Sequence, residues 1–197
     1  MIPENTFASF DRALADGCDG FEFDVRLTAD GQAIVCHDPK IGTLEIAHTG
    51  AQQLPTLPRL DEVLERYRDA FLDIELKVPG LERIVIHSVR DHHPRRFVVS
   101  SFLPEILMAL HAADATVPLG LICETKAQLL GWSRLQVEYV ITHRRLATKN
   151  LIRDLQAGGK RVLVWTVNAT VEMKRFAAWG VDGVISDNPK LLSATLR

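Results

Sequence analysis

A chain of 197 residues with 47% hydrophobic and 24% charged residues can bury one sizeable core, and one domain over residues 1 to 197 is expected. The net charge of −2 supplies no basic field, so neither nucleic acid nor an anionic membrane surface is an expected partner. No apolar run is long enough for a membrane span, and residues 1 to 20 lack the apolar stretch of a signal peptide. The three cysteines, Cys18, Cys36 and Cys123, form no CxxC pair, which favours free thiols and a reducing, cytoplasmic compartment.

Pro3-Glu4-Asn5-Thr6 reads as a helix start, with Asn5 or Thr6 able to cap and Pro near the N-terminus. Phe7, Phe10 and Leu14 follow at i, i+3 and i+7, and Gly17 closes the helix. In the next stretch Phe21, Phe23 and Val25 alternate with Glu22, Asp24 and Arg26, the period of a strand. Glu22 and Asp24 therefore leave one side of that strand with Cα atoms roughly 6.6 Å apart. Two carboxylates so close repel each other and are costly to bury unless a cation sits between them. Ala29-Asp30-Gly31 is a turn signal, and a short strand, Ala33 to Cys36, delivers His37-Asp38-Pro39 at its carboxyl end. A metal ligand pair and an imidazole brought together in this way suit hydrolysis of a phosphate ester.

Residues 40 to 58 form a polar excursion bearing Pro and Gly, a long loop placed to cover a site. Beyond it strands and helices alternate. Strands are expected at 71–77, 97–101, 119–122, 139–142, 161–166 and 183–186. Helices are expected around Leu60 to Tyr67, Leu81 to Val85 and Ile106 to Leu110, and at 125–132, 148–157 and 171–178, with Pro189 opening a last one. Such alternation implies a parallel sheet. Gly17-Cys-Asp-Gly-Phe-Glu-Phe-Asp24 and Gly180-Val-Asp-Gly-Val-Ile-Ser-Asp187 share the spacing G-x-D-G-x-x-x-D at two helix-to-strand junctions. Repeated βα units around an axis suit a TIM (β/α)8-type barrel, here lacking its first strand, because the first unit begins with its helix and seven principal strands follow.

The chain resembles the glycerophosphodiester phosphodiesterase family in Pro3-Glu-Asn-Thr6, Glu22-Phe-Asp-Val25, Thr28-x-Asp30-Gly31, His37-Asp38, Pro58-x-Leu60, Glu75-Leu-Lys77, Val164-Trp-Thr-Val-Asn168 and Asp182-Gly-Val-Ile-Ser-Asp-Asn-Pro189, which fall in that family's order. The resemblance implies a TIM barrel, a divalent cation (Mg²⁺ or Ca²⁺) and hydrolysis of small glycerophosphodiesters to an alcohol and glycerol 3-phosphate. It further implies that Glu22, Asp24 and Glu75 are metal ligands, that His37 is one of two catalytic histidines, that Lys77 contacts phosphate, and that Trp165 lines the substrate pocket. The family begins with a strand ending in His-Arg-Gly, ahead of the Pro-Glu-Asn-Thr stretch, and those residues have no counterpart here. Either the natural chain starts earlier or this one has lost half of its acid–base pair, at a cost of roughly 10²- to 10⁴-fold in rate.

Each reading has a plainer rival. Glu22 and Asp24 suit a solvated edge face as well as a metal, and Glu75 with Lys77 suits an internal salt bridge. His37 fits a general acid for a departing alkoxide or a loop histidine bonded by Asp38, and Trp165 fits a pocket wall or core packing. His48 and His143 are poor substitutes for the missing histidine. Asp187 is most economically a helix cap. At the level of function the rivals are a barrel that only binds metal and phosphate, and a phospholipase D-like lyase acting on lysophospholipids. Unpaired edges on the strands at 20–26 and 183–186 predict a homodimer or weak solubility.

Overall fold

A computed structural model describes residues 3–197. The first helix, α1 (Phe7–Ala15), is capped by Thr6, whose hydroxyl accepts the Ser9 N–H at 3.2 Å while Ser9 Oγ accepts the Thr6 N–H at 3.2 Å. Gly17, at φ +97°, turns the chain out of it. Two antiparallel strands follow, β1 (Gly20–Leu27) and β2 (Ala33–Val35), paired over Val25↔Val35 to Leu27↔Ala33. A hairpin comes next, β3 (Lys40–Ile41) with β4 (Leu44–Glu45), and then α2 (Leu60–Arg66), β5 (Phe71–Leu76), α3 (Glu82–His92), β6 (Arg96–Ser101), α4 (Pro104–Ala113) and β7 (Leu119–Cys123). The chain closes with α5 (Lys126–Leu129), β8 (Tyr139–His143), α6 (Lys149–Ala157), β9 (Arg161–Trp165), α7 (Thr170–Ala178), β10 (Gly183–Val184) and α8 (Pro189–Leu196).

The main sheet runs in the order β10-β9-β8-β7-β6-β5-β1-β2, with β1, β5, β6, β7, β8, β9 and β10 mutually parallel. It is curled into a (β/α)8-type barrel, since its two ends meet through their helices. Asp19, ahead of β1, faces Arg197 at 3.6 Å, and the Cys18 thiol lies 3.7 Å from the Pro189 carbonyl of α8. Among the described residues no strand pairs with β10 on its outer side or with the Gly20–Phe23 edge of β1. The gap opens the interior into a cavity of about 2000 Å³.

Period-2 alternation divides every strand. Phe23, Val25, Leu72, Ile74 and Leu76 point outward and are fully buried under the helices. Phe10 of α1 stacks on Phe21 at 4.1 Å and meets the Tyr67 ring edge-on at 5.8 Å, which fixes the helix over β1. Inward-facing residues line the cavity and differ from one side to the other. Glu22, Asp24, Asp73, Glu75 and Lys77 project from β1 and β5, whereas Ile122, Tyr139, Ile141 and Leu163 project from β7, β8 and β9.

The paired G-x-D-G junctions have a common cause. Gly17 and Gly180 leave their helices at φ +97° and +78°, conformations that suit glycine. A Cβ on Gly20 would lie 1.8 Å from the Phe71 carbonyl oxygen, and one on Gly183 would lie 2.8 Å from Leu163 Cδ2, so both strands start in close contact with a neighbour.

Several boundaries differ from the sequence expectation. The helix expected over 125–132 is one turn, with Gly131 and a 3-10 turn at Trp132–Arg134 replacing its second half. The strand expected over 183–186 is regular only over Gly183–Val184; Ile185 still bonds to Val164 and Val167, and beyond it Ser186 Oγ and the Asp187 N–H turn to Asn168 Oδ1. The excursion at 40–58 is an ordered pad: Ile46 and Leu54 are buried against Ile34 and Cys36. Asp30 fastens it by accepting the Ala51 N–H at 3.1 Å.

Candidate active site

The β1–β5 register sets Asp24 beside Glu75 and Glu22 beside Asp73 on the inner face. Glu22, Asp24 and Glu75 each bring one oxygen to a place where all three lie within 4.8 Å of one another. Asp24 and Glu75 are buried. Glu22 is half-buried, since it stands at the open edge of β1, yet its Oε1 is shielded and has no hydrogen-bond partner. An orphaned buried oxygen among hard donors fits a divalent cation.

Lys77 continues the inner face of β5 one step nearer the rim. Its Nζ lies 2.7 Å from Asp24 Oδ1 and 2.5 Å from Glu75 Oε1, so the internal salt bridge weighed from the sequence is present in the same cluster. Burial works against the ammonium, but the charges of Glu75 and Asp24 outweigh it and raise its pKa. Burial, reinforced by Asp24, Asp73 and Glu75, holds the Glu22 carboxyl well above the usual carboxylate range. Burial also raises Glu75, with Lys77 opposing it.

His37 stands at the rim after β2, with its side chain 54% exposed and its Nδ1 2.9 Å from Asp38 Oδ1. Its backbone carbonyl accepts from Arg26 Nε at 2.8 Å, which holds the turn. It lines the same cavity as the three carboxylates and Lys77. Trp165, at the end of β9, also lines the cavity and is half-buried. Its Nε1–H donates to the Ile141 carbonyl at 3.2 Å, and its ring meets Phe102 edge-on at 5.6 Å. It is thus both a packed residue and part of the wall.

Other residues are placed more clearly by the structure than by the pattern. Ser100 is buried and donates to Asp73 at 2.5 Å, while Ser101 donates to the Leu76 carbonyl at 2.8 Å. Asp187 is not the cap of α8: Asn188 accepts the Leu191 N–H at 3.0 Å, and Asp187 accepts instead from Asn168 Nδ2 at 2.7 Å. His48 sits on the outside beside Glu45 at 2.9 Å. His143 packs edge-on to Trp165 at 5.1 Å.

Two contributors were missed. Asn5, at φ 56°, donates from Nδ2 to Asp24 Oδ2, and Thr6 alone serves as the helix cap. Asp73, 1% exposed, lies on the inner face two residues before Glu75, which strand parity alone would have indicated. Burial pushes its pKa up to about 7 despite the Ser100 hydrogen bond, with Glu75 and Asp24 adding to the rise.

A (β/α)8-type barrel with an acidic cluster and a lysine at the carboxyl rim of its first two long strands belongs to the class of barrels whose chemistry sits at that end. Residues 1–63 and 46–191 match the profile of the glycerophosphoryl diester phosphodiesterase family, and the chain belongs to that family. A glycerophosphodiester phosphodiesterase of Caldanaerobacter subterraneus subsp. tengcongensis is 28% identical over 229 aligned residues, covering 100% of this chain and 93% of the relative. The fold is shared with a crystal structure from Silicibacter pomeroyi described as a putative glycerophosphoryl diester phosphodiesterase, at TM-score 0.90 and 21% identity, covering 98% of this chain and 88% of that one. A phosphodiesterase of Oleispira antarctica, solved with the product sn-glycerol-3-phosphate, superposes at TM-score 0.88 with 25% identity, covering 98% of this chain and 91% of that one.

Proposed function

We propose that this chain is a metal-dependent phosphodiesterase that cleaves glycerophosphodiesters to an alcohol and glycerol 3-phosphate. The observation that carries the reading is the convergence of Glu22, Asp24 and Glu75 beside Lys77, in one cavity with His37. The three carboxylates would hold the cation, and their hard oxygens suit Mg²⁺ or Ca²⁺. Bound there, the cation supplies Lewis-acid stabilisation of charge at phosphorus.

The rest of the work falls to the chain's own groups. Lys77 has three donors and commits two of them to Asp24 and Glu75, leaving one for a non-bridging phosphate oxygen. With Nδ1 turned to Asp38, Nε2 is the nitrogen of His37 left to deliver a proton to the departing alkoxide. Trp165 forms a wall against which the substrate rests.

We read residues 1–197 as one domain. Three free cysteines support a cytoplasmic setting, and no helix of the described residues is long and apolar enough to cross a membrane. The unpaired edges of β1 and β10 support pairing with a second copy, for which light scattering is the check.

Turnover of glycerophosphoethanolamine with and without chelator tests the function. Activity that depends on the divalent cation and is lost in E75Q supports it. Tight binding of glycerol 3-phosphate without turnover would instead identify a barrel that only binds.

A further inference from the structure

The cavity has an acidic half under β1 and β5 and an apolar half under β7, β8 and β9. One carboxylate belongs to the second half. Glu124 follows β7 directly and lines the cavity while remaining exposed. Its backbone N–H is held by Gln128 Oε1 at 3.0 Å, and its carboxylate enters no ion pair or hydrogen bond with the described residues.

Strand register says what stands beside it. Cys123 pairs with Thr142 and His143 with Trp165, so Glu124, His143 and Trp165 follow one another along the rims of β7, β8 and β9. By alternation Glu124 shares the inner face of Ile122, His143 that of Ile141, and Trp165 that of Leu163. A chain of contacts links this row to the acidic half. Lys77 Nζ lies 5.8 Å from the centre of the Phe102 ring, Phe102 lies 5.6 Å from Trp165, and Trp165 lies 5.1 Å from His143. These contacts lead from Lys77, where a phosphate would be held, along aromatic rings to the rim that carries Glu124.

We propose that Glu124 is a specificity-determining residue: with Trp165 and Phe102 it receives the departing alcohol when that alcohol carries an ammonium group, so diesters of amino alcohols are preferred to neutral polyol diesters. This rests on the phosphodiesterase reading above. An ammonium bearing methyl groups has few or no hydrogens to donate, and it is held by π faces and nearby negative charge, which this row combines. Two arginines follow His143 in the turn after β8. Arg144 is drawn aside by Glu172 at 3.2 Å. Arg145 lies in the turn after β8, its N–H 3.3 Å from His143 Nδ1, and opposes Glu124. Burial, with Arg145 and Arg144, lowers the His143 pKa, and Glu124 opposes the shift, which places that carboxylate within reach of the ring.

The test compares kcat/KM for glycerophosphocholine and glycerophosphoglycerol in the wild type, E124Q and E124K, with the divalent cation saturating. The wild type should favour the choline diester. The choline-to-glycerol ratio should fall about three- to tenfold in E124Q and further in E124K, and the wild-type ratio should shrink as salt rises. A ratio unchanged in E124Q, or a wild-type preference for the neutral diester, overturns the assignment. Turnover of neither substrate would defeat the phosphodiesterase reading instead. Calorimetric titration of both diesters then reads the same ratio in Kd, and equal affinities or no binding overturn the role of Glu124.

Discussion

Asn5 donates from Nδ2 to Asp24 Oδ2 at 2.7 Å and accepts the Asp24 N–H on Oδ1 at 3.0 Å, so one amide side chain grips both the carboxylate and the backbone of a single residue. The grip reaches from the turn before α1 to the inner face of β1. It fixes one carboxylate oxygen and leaves the other toward Lys77.

Replacing Asn5 should loosen that carboxylate without emptying the cluster. N5A is expected to weaken Mg²⁺ or Ca²⁺ binding about 10- to 100-fold, the usual scale for residues that orient a ligand. Calorimetric titration with the ion checks this, and an unchanged affinity would show that β1 alone positions Asp24.

A cation bound to the folded chain stabilises it by about 2.7 kcal/mol at a concentration 100 times its Kd. Thermal unfolding should therefore shift upward on titration with Mg²⁺ or Ca²⁺, and E22Q should blunt the shift. Because Glu22 and Glu75 hold protons above the usual range, the ion must displace them. Affinity should then increase as the pH is raised.

Asp73 gives the chelated protein an uncommon pH response. Unfolded, the carboxyl loses its proton near pH 4, whereas folded it keeps the proton to about 7. The folded state accordingly loses stability as the pH rises between those values and loses nothing further above them. D73N should reduce that slope, leaving the part that Glu22 and Glu75 contribute in the same direction, and stabilise the metal-free protein at neutral pH by up to about 4 kcal/mol. Urea melts at pH 4.5 and 7.5 in chelator compare the two, and parallel behaviour of wild type and variant would exclude Asp73 as the source.

Gly20 and Gly31 separate close approach from backbone strain. A Cβ at Gly20 meets the Phe71 carbonyl at 1.8 Å, and G20A should cost at least the 1–3 kcal/mol of an overpacked core. Gly31 has φ +76° with no atom within 4 Å, so G31A should cost only about 1–2 kcal/mol of left-handed strain. Equal losses in denaturant melts would contradict this account of the β1–β5 junction.

What the sequence made readable was periodic. Phe21, Phe23 and Val25 against Glu22 and Asp24 marked the two faces of β1, the order of strands and helices marked a parallel sheet, and the repeated G-x-D-G junctions with the family resemblance pointed to a barrel. Less legible were features that depend on partners distant in the chain. Asn5 looks like a cap until β1 is placed beside it, 19 residues on. Asp187 looks like a cap until Asn168 is found opposite. The end of β10 involves Asn168 as well, whose Oδ1 takes the Asp187 N–H just beyond the last main-chain bonds of Ile185. Composition likewise could not show that residues 40–58 bury Ile46 and Leu54 beside β2.

A sheet with two ends frays from them, while a closed ring has nowhere to begin. Amide exchange should accordingly be slowest in β6, β7 and β8 and quicken outward, fastest at the two-residue β10. Glu22 and Asp24 ride on one of the terminal parallel strands and Glu75 on its inner neighbour. An ion shared among them would act as a rivet between β1 and β5, so that of the sheet's two ends the one carrying the carboxylates is the one that substrate chemistry itself tightens.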